Sequence, residues 1–86
     1  MKIKLKFFGF PEVLKMLGKN EIEVQVEGTT VGDLQHQLED TYGKGIKRAF
    51  TVQILRNGQE WIKMNDRSHP LSDGDQLSFL NMITGG

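Results

Sequence analysis

No cysteine occurs among the 86 residues of this chain. That excludes a disulfide framework, a thiolate metal site, a cysteine nucleophile and a persulfide carried on the protein's own sulfur. Charge of one sign is also missing: eleven basic and eleven acidic residues cancel. No block of like charge is long enough to form the basic stripe that a phosphate backbone requires, so nucleic acid is not an expected partner. Nor is there an apolar run near the ~20 residues that cross a bilayer, so no membrane association is expected. Met1 to Lys6 alternates apolar and charged residues, where a secretory signal needs a continuous apolar stretch. The expectation is a cytoplasmic protein. At this length it forms a single domain, residues 1–86, near the size at which one core is just sufficient.

What is present is patterned. Ile3, Leu5 and Phe7 alternate with Lys2, Lys4 and Lys6, the period of a strand buried on one face. Ile22, Val24 and Val26 alternate with Glu21, Glu23, Gln25 and Glu27, so pairing the two strands would set lysines against glutamates across the exposed face. Between them, Pro11 opens and Gly18 closes a stretch that predicts one or two helical turns. Thr30-Val31-Gly32-Asp33 has the form of a capping box with Asp in place of Glu. Val31, Leu34, Leu38 and Tyr42 follow at helical spacing, which predicts the main helix from about Val31 to Tyr42, ending in a Gly43-Lys44-Gly45 loop. Val52 and Ile54 begin a further strand, and Asn57-Gly58 offers the two positive-φ positions of a tight hairpin before Gln59–Lys63 returns. After the Ser72-Asp73-Gly74-Asp75 turn, a last strand points Leu77 and Phe79 one way and Ser78 and Leu80 the other. Five one-sided strands with one long helix to cover them predict an α+β layer pair, a single sheet wrapped on one helix. The expected core comprises Leu5, Val24, Val26, Leu34, Leu38, Val52, Ile54, Leu77 and Phe79.

Few residues could carry chemistry. His36 lies off the apolar stripe of the main helix and is expected in solvent, while His69, before Pro70, reads as a turn or surface histidine. No His/Asp/Glu spacing suits a metal, and Asp73-Gly74-Asp75 lacks the other ligands of a calcium loop. Gly43-Lys44-Gly45 follows a helix and is too short to cradle a phosphate. The sequence therefore shows no active site of its own.

The end of the chain is different. From Gln76 to Gly86 there is no charged side chain, and Leu80, Met82 and Ile83 are left over once Leu77 and Phe79 fill the core face. Apolar residues that a small domain cannot bury suit a partner surface; Phe7 and Phe8 can divide between core and interface, and Phe7 is taken as the interface residue. Gly85 and Gly86, without Cβ atoms, can thread a channel too narrow for a side chain and present a carboxylate to another protein. Against this stands the simpler reading that a glycine-rich chain end does nothing.

The run His69-Pro70-Leu71-Ser72-Asp73-Gly74-Asp75-Gln76-Leu77-Ser78-Phe79, followed by Thr84-Gly85-Gly86, resembles the small sulfur carriers of the MoaD/ThiS family. The start, Ile3-Lys4-Leu5-Lys6-Phe7-Phe8-Gly9, is also similar, and the resemblance covers the whole chain, with length and motif closer to the MoaD branch. It implies a ubiquitin-like β-grasp fold, one mixed sheet packed on one main helix, with residues 81–86 as a flexible Gly-Gly tail. It further implies a substrate and donor acting with enzymes rather than an enzyme itself, binding no cofactor. Gly86 would be the acyl-adenylate and thiocarboxylate site, with Thr84 and Gly85 threading the partner's active site and Phe7, Leu80, Met82 and Ile83 at the interface. The implied partners are a ubiquitin-activating-type adenylyltransferase of MoeB/ThiF kind that uses MgATP, a persulfide sulfur donor, and a MoaE-like large subunit of molybdopterin synthase as acceptor. Sulfur donation to thiamin thiazole synthesis, and conjugation to target lysines as a protein modifier, are the alternatives. One departure is visible: Leu80-Asn81-Met82-Ile83 stands where MoaD-like chains often carry a Phe-Pro-Pro-Val type sequence, so the stiffening that prolines give is missing.

Overall fold

The computed structural model describes residues 1–63 and 65–81. In chain order the elements are β1 (Lys2–Phe8), α1 (Pro11–Leu17), β2 (Glu21–Gln25), α2 (Val31–Tyr42), a 3-10 helix (Lys44–Thr51), β3 (Gln53–Arg56), β4 (Glu60–Ile62) and β5 (Gln76–Leu80). The strands form one five-stranded sheet in the order β2-β1-β5-β3-β4. All pairs are antiparallel except β1 with β5, which run parallel at its centre. The first and last strands of the domain are thus direct neighbours, and everything between them forms the crossover.

The alternation read from the sequence decides the faces. Ile3, Leu5 and Phe7 of β1, Ile22 of β2, Ile54 of β3, Ile62 of β4 and Leu77 and Phe79 of β5 are buried against Val31, Leu34 and Leu38 of α2. Val24 and Val52, expected in the core, lie at its margin and are only partly buried. Lysines of β1 do meet glutamates of β2, but diagonally rather than directly across: Lys2 reaches Glu23 at 3.9 Å and Lys4 reaches Glu21 at 3.4 Å. Both pairs are exposed and contribute little to stability.

The capping box closes as expected. Thr30 Oγ1 accepts from the Asp33 N–H at 3.2 Å, and the Asp33 carboxylate accepts from the N–H groups of Thr29 and Thr30 at 2.9 and 3.2 Å. These bonds, that of Thr29 first, hold the Asp33 carboxyl below its ordinary range. Asn57 and Gly58 both have positive φ, 53° and 69°, and make the tight hairpin between β3 and β4.

One element differs from expectation. The loop at Gly43-Lys44-Gly45 leads into the eight-residue 3-10 helix, which buries Ile46, Ala49 and Phe50. Arg48 of this helix bonds Glu12 of α1 at 2.8 Å. The single long helix cannot cover a five-stranded sheet, and this short helix with α1 closes the remainder.

The Asp-Gly-Asp turn organises the start of β5. Asp75 is 5% exposed and accepts from Arg56 Nε at 2.8 Å, Asn57 Nδ2 at 3.0 Å and the Ser72 N–H at 2.7 Å. Its backbone carbonyl accepts from the Lys4 N–H at 2.9 Å, while the Gly74 N–H donates to the Lys2 carbonyl at 2.8 Å. One turn therefore fixes β5 against both of its neighbours. Burial raises the Asp75 carboxyl, but the bonds from Asn57, Ser72 and Arg56 outweigh it and hold the group below its ordinary value of 3.8. A depressed carboxyl contributes stability that is present above about pH 4 and lost as pH falls through its folded value. Asp75→Asn should cost about 2 kcal/mol at neutral pH, since it removes the more buried of the two anions that hold Arg56 and leaves only Glu60. Urea unfolding of the two proteins from pH 7 down to pH 2 should show the gap closing below about pH 4; a constant gap would deny the charged hub.

Candidate functional site

The strand parity that fills the core also builds the opposite face. Register places Lys6, Ser78, Leu55 and Trp61 in one row across β1, β5, β3 and β4, and Phe8, Leu80 and Gln53 in the adjoining row. Their neighbours in sequence, Phe7, Phe79, Ile54 and Ile62, are buried, so these residues stand on the outer face. Phe8 is 51% and Trp61 56% exposed, and Leu55 and Leu80 are half-buried between them. Four apolar side chains on a solvent face of a small domain form a patch that suits a partner. No acidic side chain among the described residues pairs with Lys6, although Lys2 and Lys4 both have partners. Lys6 stands opposite Glu21 of β2 at the rim of the patch without closing an ion pair with it.

Directly beneath it lies an aromatic stack. Phe7 and Phe79 lie face to face, centroids 4.8 Å apart, and the edges of Phe50 and Phe10 approach them at 5.0 and 6.3 Å. These rings hold the ends of β1 and β5 rigidly behind the outer patch.

This placement corrects one expectation. Phe7 is 2% exposed and belongs to the core, so it is not an interface residue; its neighbour Phe8 takes that position. The reason is parity, because Phe7 continues the inward series of Ile3 and Leu5. Leu80 is on the outer face as expected, whereas Met82, Ile83, Thr84, Gly85 and Gly86 lie outside the described residues. Leu55 and Trp61 went unnoticed in the sequence, although each is an apolar residue out of phase with its strand's inward positions. Asn81, expected to start the tail, is tied to the end of β1: its N–H donates to the Phe8 carbonyl at 3.0 Å and its Nδ2 to the Gly9 carbonyl at 2.8 Å.

The histidines remain outside this arrangement. His36 is exposed and 3.4 Å from Asp40 on its own helix. His69 is more enclosed than expected, at 16% side-chain exposure, with Glu60 and Asp66 each 3.6 Å away. Among the described residues, no group of three or more His, Asp or Glu side chains could hold a metal, and no helix is long and apolar enough to cross a membrane.

A domain with a β5 that leads toward a Gly-Gly sequence beside an apolar outer face matches a known group over residues 5–86. The chain belongs to the ThiS family. It is 33% identical to small archaeal modifier protein 3 of Haloferax volcanii over the full length of both chains. It is also 32% identical to the molybdopterin synthase sulfur carrier subunit of Mycobacterium tuberculosis, spanning all of this chain and 99% of that one. Among solved structures, a complex of subunits 1 and 2 of the molybdopterin-converting factor of Helicobacter pylori contains a chain that superposes with a TM-score of 0.63. That match is 25% identical and covers all of both chains. The fold is the ubiquitin-like β-grasp. This ThiS-family chain is thus a ubiquitin-like sulfur carrier of the ThiS/MoaD type, a small subunit that acts with partner enzymes.

The two phenylalanines make a direct test of the face assignment. Phe7→Ala should destabilise the domain by about 4 kcal/mol, and Phe8→Ala by about 1 kcal/mol or less, because half of its ring is already in water. Denaturant midpoints measure both, and equal losses would contradict the assignment.

Proposed function

We propose that the carboxylate of Gly86 is the group this protein carries through its reaction cycle, and that the sulfur it acquires is donated to molybdopterin synthesis. The observation that carries the reading is the Thr84-Gly85-Gly86 sequence, within the family match, four residues beyond the end of β5, whose last residue, Leu80, belongs to the apolar outer patch. In the first step an adenylyltransferase of the ubiquitin-activating type joins the Gly86 carboxylate to AMP from MgATP, releasing pyrophosphate. A carboxylate resists nucleophiles, whereas the mixed anhydride has a good leaving group. The terminal sulfur of a donor persulfide displaces AMP and forms an acyl disulfide; a thiol then cleaves the S–S bond, giving the thiocarboxylate and a disulfide of the two thiols.

The domain supplies docking for each of these encounters. Phe8, Leu55, Trp61 and Leu80 offer apolar area to the activating enzyme and to a MoaE-like large subunit. The subunit complex described for the Helicobacter pylori protein and the carrier-subunit name of the Mycobacterium tuberculosis relative support this assignment of partners. The similarity to small archaeal modifier protein 3 favours a second reading, in which the same activated Gly86 forms an isopeptide bond with a target lysine. Both readings share the adenylate, and they part at the acceptor.

Intact mass after incubation with a competent activating enzyme, MgATP and a sulfur donor should show one oxygen replaced by sulfur. A chain lacking Gly86 should show no change; sulfur gained by that chain would remove the proposed role of Gly86. Covalent adducts in cells that vanish with Gly86 would select the modifier reading. In the same assay Trp61→Ala should raise the KM for the carrier about tenfold with kcat unchanged, the effect of losing one interface residue worth about 1.4 kcal/mol.

A further inference from the structure

We infer that Asn81 is a positioning residue: its side-chain amide clamps the end of β5 to the Gly9 carbonyl and sets the direction in which the chain leaves the sheet toward Gly86. The inference rests on the proposed role of Gly86.

The geometry is particular to this junction. β1 and β5 end side by side, with Phe8 opposite Leu80 as the last pair of the parallel ladder. Beyond that pair two hydrogen bonds remain, the backbone bond from Asn81 to Phe8 and the side-chain bond from Asn81 to Gly9. They grip the same residue from two directions, and a residue held by backbone and side chain together cannot swivel about the strand axis as one held by a single bond can. Gly9 makes the approach possible. Its φ is +83°, and a Cβ there would stand 3.0 Å from the Asn81 carbonyl oxygen and 3.2 Å from the Asn81 Cβ. A side chain at Gly9 would both strain the turn and push Asn81 away. Asn81 is the last described residue, so the clamp is the last constraint among the described residues before the glycines.

The clamp does not belong to the docking patch. Phe8, Leu55, Trp61 and Leu80 determine how long a partner holds the domain. Asn81 determines where the chain points once it is held. An activating enzyme must bring the terminal carboxylate into line with the α-phosphate of ATP, and misalignment at that point lowers the rate of the chemical step without weakening the encounter. The two groups should therefore separate in kinetics.

The experiment compares wild type, Asn81→Ala, Asn81→Asp and Asn81→Gln as substrates of the activating enzyme, by pyrophosphate release and by intact mass. Each variant keeps the backbone bond to Phe8, so folding is preserved. Asn81→Asp is isosteric but has no N–H to donate. Both Ala and Asp should lower kcat about fivefold while leaving KM within about twofold of wild type. Asn81→Gln, which restores a donor on a longer arm, should recover part of the loss. A rise in KM at constant kcat, or wild-type kinetics in both Ala and Asp variants, would overturn the inference. Hydrogen exchange at the Asn81 amide reads the clamp in the free protein: it should quicken about tenfold in Asn81→Asp, and unchanged exchange would show that the side chain restrains nothing. If wild type is neither adenylated nor thiocarboxylated by an enzyme competent on another carrier, the role of Gly86 falls and the positioning role with it, whatever the exchange rates; normal activation of wild type with unaltered variants removes the clamp alone.

Discussion

The parallel ladder between β1 and β5 is the constraint on which the rest of the molecule depends. Parallel neighbours cannot be joined by a turn, so the two central strands come from opposite ends of the chain and every other element must fit within their crossover. No local signal brings Leu5 beside Leu77. What fixes the meeting is the Asp73–Asp75 turn, whose backbone bonds Lys2 and Lys4 while its carboxylate gathers Arg56, Asn57 and Ser72. A buried carboxylate satisfied from three sides specifies one register, since a slip of one residue would leave Asp75 without Arg56 and Asn57 and turn every side chain to the other face.

The same ladder explains why the apolar patch lies where the chain emerges. Odd positions of β1 and β5 enter the aromatic stack of Phe7 and Phe79, so even positions at the same ends, Phe8 and Leu80, must face outward. Leu55 and Trp61 join them because β3 and β4 continue the sheet in register with Ser78. Core and apolar outer face are two sides of one sheet, and the packing of the first supports the second. The outer patch needs no scaffold of its own.

Most of the fold was legible in the sequence because its signals are local: period-2 alternation, the Thr30–Asp33 cap, the Asn57-Gly58 hairpin. The 3-10 helix was missed because its glycine-flanked start reads as a loop, although Ile46, Ala49 and Phe50 already had the spacing of a buried helical face. The site was legible only in part. Leu80 can be read from order along the chain, as can the role proposed for Gly86, whereas the patch depends on register between strands that are distant in sequence. Phe7 and Phe8 show the difference: both are large and apolar at a strand end, and only parity with Ile3 and Leu5 tells which is inside. Asn81 gave no signal at all, since an asparagine after a strand has no distinctive pattern until its amide is seen on the Gly9 carbonyl.

In the role proposed for Gly86, a carrier whose reactive group is its own chain end faces a problem that an enzyme with a pocket does not. It must be recognised firmly enough to be chosen, yet released to the next partner, and it must deliver a terminus that several active sites can accept. Binding energy placed on the outer face acts equally before and during the chemical step, so it governs selection and residence rather than rate. Direction of exit acts only when the terminus meets the nucleotide or the acceptor, so it governs rate. On the proposed assignment these tasks are separated, one on four side chains across the sheet and the other on a single amide at its corner, so that partners with different docking contacts would share one positioning device.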